Sequence, residues 1–92
     1  MAEVRENTDR RRFEILVDGE VVGFVAYRPR PDGVVFTHTE VERAHRGQGL
    51  AEELAAGALD GIRASGRRLR SECPFMTKYL GEHPEYADLV SR

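Results

Sequence analysis

The chain is predicted to be an α+β domain: three antiparallel strands, a helix, a strand parallel to the third, and short C-terminal helices. Three observations lead there. Apolar and β-branched residues alternate between Phe13 and Val41, interrupted only by turn-forming residues. The period then changes to helical from Leu50 onward. A second short β-reading run, Arg67 to Glu72, follows that helix.

Phe13, Ile15 and Val17 alternate with Glu14, Leu16 and Asp18, which reads as the first strand. Asp18-Gly19 signals a type I′ hairpin, because both central residues must tolerate positive φ. Val21 to Tyr27 is the return strand, apolar on both faces, so both faces are expected to be partly covered. Pro29, Pro31, Asp32 and Gly33 mark a second turn. Val34 to Val41 is the third strand. Strict alternation puts Val34, Phe36, His38 and Glu40 on one face, and Val35, Thr37, Thr39 and Val41 on the other.

Leu50, Ala51, Leu54, Ala55, Ala58, Leu59 and Ile62 form one helical stripe that stops at Ser65-Gly66. Gly57 and Gly61 interrupt it, each at a cost of about 1 kcal/mol relative to alanine. After Cys73-Pro74, Phe75 to Leu80 and Pro84 to Val90 read as short helical segments around Gly81-Glu82-His83. A right-handed crossover places the strand before Cys73 beside the third strand and parallel to it.

Ninety-two residues, 1–92, make a single domain with one modest core. Sixteen acidic residues against fourteen basic ones suggest neither a nucleic acid nor a membrane partner. The runs Arg10-Arg11-Arg12 and Arg67-Arg68-x-Arg70 lack interleaved aromatics and read as solvated surface. No apolar run is long enough to span a membrane, and the charged N-terminus lacks a signal-peptide core. One cysteine excludes an internal disulfide, and His83 with Glu85 is too few ligands for a metal. A cytoplasmic protein without a metal is expected.

Arg46-Gly47-Gln48-Gly49-Leu50-Ala51 joins the third strand to the helix. A helix start offers unpaired N–H groups and partial positive charge, and glycines let a phosphate approach the backbone. The same glycines would also serve a plain tight turn. A P-loop is excluded, since Leu50-Ala51 stands where Lys-Ser or Lys-Thr is needed. A dinucleotide loop is excluded by Glu52, which occupies the place of its third glycine.

Arg-x-x-Gly-x-Ala, with Val41 five residues upstream, resembles the acetyl-CoA pyrophosphate loop of the GCN5-related N-acetyltransferases. His38-Thr39-Glu40-Val41, Cys73-Pro74-Phe75-Met76, Tyr79-Leu80 and His83-Pro84-Glu85-Tyr86 narrow the resemblance to small YjdJ-type, NATD1-like domains, from Phe13 to Val90. It implies a reduced version of that fold, without the N-terminal elements that shape the acceptor site in larger relatives. It also implies that the third strand and the later strand splay apart to admit the pantetheine arm. Acetyl-CoA would then meet Thr39, Val41, Arg46, Gly47, Gln48, Gly49, Leu50 and Ala51.

The implied activity is acetyl transfer to an unidentified amine, a small molecule or a protein; the rival is a non-catalytic acyl-CoA-binding module. His38 is the candidate proton acceptor, its ordinary pKa being about 6.5, or else a core histidine. Glu40 shares its face as orienting group or base, or as a plain strand carboxylate. Cys73 is a small buried residue, a proton shuttle or a nucleophile activated by a nearby His38. Tyr79 matches a family tyrosine that protonates the CoA sulfur, or is a core aromatic. The CoA 3′-phosphate partner stays open among Arg43, Lys78 and the arginines of the two basic runs.

Overall fold

A computed structural model describes residues 2–91. Five strands form one sheet in the order β1-β2-β3-β4-β5: β1 Ala2–Asn7, β2 Arg12–Val17, β3 Glu20–Arg30, β4 Gly33–Val41 and β5 Arg68–Ser71. β1 to β4 are antiparallel neighbours, and β5 lies parallel to β4. Helix α1 (Leu50–Ala64) makes the crossover, and α2 (Pro74–Glu82) and a 3₁₀ segment (Pro84–Leu89) follow β5. All three helical elements join one face of the sheet in a single core that includes Phe13, Ile15, Phe36, Leu54, Leu59 and Met76. None of the described helices is long and apolar enough to cross a membrane.

Local chemistry explains the punctuation. Asp18 and Gly19 both take positive φ, 51° and 82°, as the type I′ hairpin requires. Gly66, at φ 73°, ends α1 in the left-handed conformation. β3 continues through Pro29 to Arg30, so the second turn is shorter than expected. Beyond Tyr27, β3 has only β4 beside it, and Pro29 removes a donor from an edge without a neighbouring strand.

One strand was not expected. The charged segment Ala2–Asn7 is β1, so four antiparallel strands precede α1 rather than three. β1 is held by its side chains. Val4 packs against Gly57 of α1, where an added Cβ would lie 2.5 Å from the Val4 Cβ. Gly61 meets the Phe13 ring in the same way, at 2.9 Å. The two glycines that weaken the helix by propensity therefore let it settle closely on the sheet.

Glu6 accepts two hydrogen bonds from Arg67, at 2.7 and 2.9 Å, and a third from the Tyr27 hydroxyl. This half-buried cluster ties β1 to β3 and to the entry of β5. It also shows that Arg67 is a structural cation, not solvated surface. Burial and then the Glu6 carboxylate push Tyr27 up to about 12, and burial and then Asp60 do the same to Tyr86. Tyr79 is raised as well, first by burial and then by Glu85, Asp60 and Glu52. Raised pKa values stabilise the protonated folded state fully below pH 10, and that stability is lost as pH rises toward 12. The phenolate absorbance of Tyr27 and Tyr86 should accordingly stay flat through pH 10 and rise together with unfolding near 12, with Tyr79 titrating above its ordinary value. A single tyrosine titrating at its ordinary pKa in the folded protein would contradict this packing.

Candidate active site

β4 decides what faces where. Ala26 pairs with His38 and Tyr27 with Phe36, which leaves Thr37 as an extra residue, a β-bulge. The Thr37 hydroxyl donates to the Ala26 carbonyl at 3.3 Å and anchors it. The bulge breaks the alternation expected from the sequence. Thr39 and Val41 now lie toward the helical core with Phe36, while His38 and Glu40 turn to the opposite, open face.

The β4–β5 pairing is short. It runs from Gly33–Phe36 opposite Arg68–Ser71 and ends with the Glu72 amide donating to the Phe36 carbonyl at 2.8 Å. β5 ends at Ser71, while β4 runs on to Val41 without a strand beside it on that side among the described residues. Cys73 lies beside this extension of β4, 3% exposed, with its sulfur 3.2 Å from the Thr39 hydroxyl. His38 meets Glu40 at 3.9 Å and the edge of the Phe24 ring, with centroids 6.1 Å apart. Thus His38 and Cys73 occupy opposite faces of the sheet. The cation expected beside the thiol is replaced by a neutral hydroxyl, so His38 does not activate Cys73 in this arrangement.

The loop begins with a 3₁₀ turn at Arg43–His45. Arg46 is extended, and its Nε donates back to the Val41 carbonyl at 3.2 Å. Gly47 and Gly49 take φ values of 80° and 76°, on either side of Gln48. Nothing lies within 4 Å of where a Cβ would project from either glycine. Gly49 is the N-cap of α1, and no side chain caps the helix. The first-turn amides are thus left for a ligand or water, with the helix dipole behind them.

The loop encloses a recess of about 250 Å³ lined by Val41, His45, Arg46, Gly47, Gly49, Leu50, Ala51 and Glu52. These residues suit a pyrophosphate: free amides, an arginine and open space over two glycines. Six of the eight expected cofactor contacts line this recess; Gln48 does not, and Thr39 lies beside Cys73. His45 was missed by the sequence reading. Its Nδ1 is enclosed without a hydrogen-bond partner. A neutral ring in that position carries its proton on Nε2, since a buried N–H without an acceptor is costly. The signal available was simply a histidine directly before the loop arginine.

Tyr79 lies in α2, six residues after Cys73, or roughly 9 Å along the helix axis. It is 7% exposed and stacked on His83, with ring centroids 3.8 Å apart. His83 Nδ1 lies 2.9 Å from the Tyr79 carbonyl, and Tyr86 donates to Asp60 at 2.8 Å. The His83-Pro84-Glu85-Tyr86 motif therefore packs the C-terminal segment. The raised pKa keeps Tyr79 a neutral phenol at neutral pH.

A model of the GCN5-related N-acetyltransferases matches residues 12–89. The chain belongs to this family. Among curated relatives, Protein NATD1 of Mus musculus is 31% identical over 83 residues, covering 88% of this chain and 76% of its own. Protein NATD1 of Danio rerio is 29% identical over 92 residues, covering 95% of this chain and 83% of its own. Among solved structures, a GCN5-like protein from Staphylococcus aureus superposes with a TM-score of 0.68 at 21% identity. That match covers 97% of this chain and 87% of the other, and it shows the shared fold. A ribosomal-protein-alanine N-acetyltransferase from Brucella melitensis reaches 0.53 at 26% identity, over 88% of this chain and 61% of its own. The expected reduced α+β fold of a small, NATD1-like GCN5-related N-acetyltransferase is the one observed.

Proposed function

We propose that this chain transfers an acetyl group from acetyl-CoA to an amine. The observation that carries this reading is an uncapped helix start behind two left-handed glycines, at the end of β4 that extends beyond its pairing with β5. In the proposal, the amides of the Gly47–Ala51 stretch and Arg46 hold the pyrophosphate, and Val41 and Thr39 line the path of the pantetheine arm. Acetyl-CoA supplies an activated thioester. His38 takes a proton from the incoming ammonium so that the amine becomes nucleophilic, and Glu40 orients the imidazole. Tyr79 is the neutral phenol proposed to return a proton to the departing thiolate.

Cys73 shapes the thioester pocket through Thr39 in this scheme, and transfer is direct. Its separation from His38 argues against a covalent route, because the thiol is paired with the neutral Thr39 hydroxyl instead. The same separation favours a second reading, an acyl-CoA-binding module in which both residues are structural.

Native mass spectrometry with acetyl-CoA tests the proposal. A non-covalent complex without acetyl on Cys73 is expected, with a denatured control for chemical acetylation. With an acceptor in hand, Cys73→Ala should keep most of its turnover and His38→Ala should lose about 10²-fold or more. A protein that binds acetyl-CoA yet turns over no amine would favour the module. No complex well above micromolar concentration would remove both readings.

A further inference from the structure

The wall of the phosphate recess holds a histidine whose ring makes no hydrogen bond or ion pair among the described residues. His45 closes the 3₁₀ turn before the loop, and that turn is fixed at both ends. The Glu42 amide donates to the Val22 carbonyl at 2.8 Å, the His45 amide to Glu42 at 2.9 Å, and the Arg46 amide to Arg43 at 3.2 Å. Arg46 Nε adds its bond to the Val41 carbonyl at 3.2 Å. The backbone around His45 is therefore set before any ligand arrives.

The two nitrogens of the ring differ. Nδ1 is enclosed and has no hydrogen-bond partner among the described residues. A proton there would be a buried N–H without an acceptor, so the neutral ring keeps it on Nε2. Burial of one nitrogen thus fixes the other as a donor, and Nε2 is the nitrogen left for a ligand. The rest of the wall makes that donor matter. Among the described lining residues, only His45 and Arg46 bring a side-chain donor; Glu52 only accepts, and the others are glycine or apolar. Arg46 and Glu52 bring one charge of each sign, so the wall has no excess of positive side-chain charge. An anion there is held by directed hydrogen bonds as much as by charge.

We propose that His45 binds the pyrophosphate of acetyl-CoA, donating from Nε2 to a phosphate oxygen as a neutral imidazole of fixed tautomer. The inference rests on the acetyl-transfer reading and adds to it a side-chain contact outside the glycine loop. An N–H donating to an anionic oxygen forms a charge-assisted bond, roughly twice as strong as one between neutral groups. The tautomer is set in the free protein, so binding requires no proton rearrangement at the ring. Replacements should then rank by where they place a donor. Glutamine carries an amide N–H about as far out as Nε2, asparagine only as far as Nδ1, and phenylalanine keeps the ring without a donor.

The test measures dissociation constants of acetyl-CoA and acetyl-3′-dephospho-CoA by titration calorimetry, beside a long-range proton–nitrogen NMR spectrum of the imidazoles. Both ligands carry the pyrophosphate. His45→Phe should weaken both about tenfold or more, His45→Asn should resemble it, and His45→Gln should stay within about threefold of the unchanged chain. Loss confined to acetyl-CoA would move His45 to the 3′-phosphate and overturn the proposal. Unchanged affinity in the Phe variant, or no rescue by glutamine, would overturn it as well. In the unchanged chain the spectrum should show the His45 proton on Nε2 with and without acetyl-CoA, and Nε2 moving more than Nδ1 on binding. A proton on Nδ1 would refute the proposal without any variant, so a substitution that fails to fold cannot shield it. Acetyl-CoA bound with the His45 nitrogens unmoved would sink only this contact. No binding by the unchanged chain would sink the underlying reading instead.

Discussion

Gly49→Arg is expected to weaken acetyl-CoA binding by roughly 100-fold or more, equivalent to about 2.7 kcal/mol or more, while the domain stays folded. Gly49 caps α1 at φ 76°, and the space where its Cβ would project is open. The substitution therefore meets no clash in the free protein. Its cost is the left-handed conformation, about 1–2 kcal/mol, or a fall in Tm of roughly 5–15 °C for a domain of this size. The new side chain occupies the place left for the phosphates over the helix start. Arginine is informative because its charge would attract an anion, so a loss of affinity must come from excluded space. Titration calorimetry with acetyl-CoA and a thermal melt measure the two quantities separately. Unchanged affinity in a folded variant would refute this placement of the pyrophosphate.

Gly33→Ala is expected to cost at least about 3 kcal/mol of stability, which is a large share of the roughly 5–15 kcal/mol typical of a small domain. Gly33 is the first residue of β4 and pairs with Arg68 of β5. A Cβ there would lie 1.8 Å from the Arg68 carbonyl oxygen and 2.8 Å from its nitrogen. Those are backbone atoms of a paired strand and cannot rotate away. The first rung of the parallel β4–β5 pairing would have to open. Urea unfolding should show a markedly lower midpoint, and acetyl-CoA affinity should fall with it because β4 leads into the phosphate loop. A midpoint close to that of the unchanged protein would mean that β4 and β5 approach less closely than described.

The elements legible in the sequence are those specified by neighbouring residues. Asp18-Gly19 imposes its turn through backbone sterics alone, and Gly66 ends the helix for the same reason. The stripe from Leu50 to Ile62 marks α1, and its six buried residues all come from the expected set. The loop was legible because its glycines and helix start act over a few residues. In each case the information and the interaction lie within about one turn of chain.

β1 was hidden because its single inward valine makes no pattern; its place depends on Gly57 and on Arg67, sixty-one residues from Glu6. The faces of His38, Thr39 and Glu40 were hidden by the Thr37 bulge, which arises from register with β3 and leaves no period in β4 alone. The burial of Glu14 was out of reach for a related reason. It reads as an outward strand carboxylate, and only the packed sheet shows it buried beneath Arg12 and Phe24. Turns, periods and caps are local free-energy choices, written in adjacent residues. Registers, faces and charge compensation are settled by contacts between residues far apart in the chain, and they arise only when the sheet and its helices pack together.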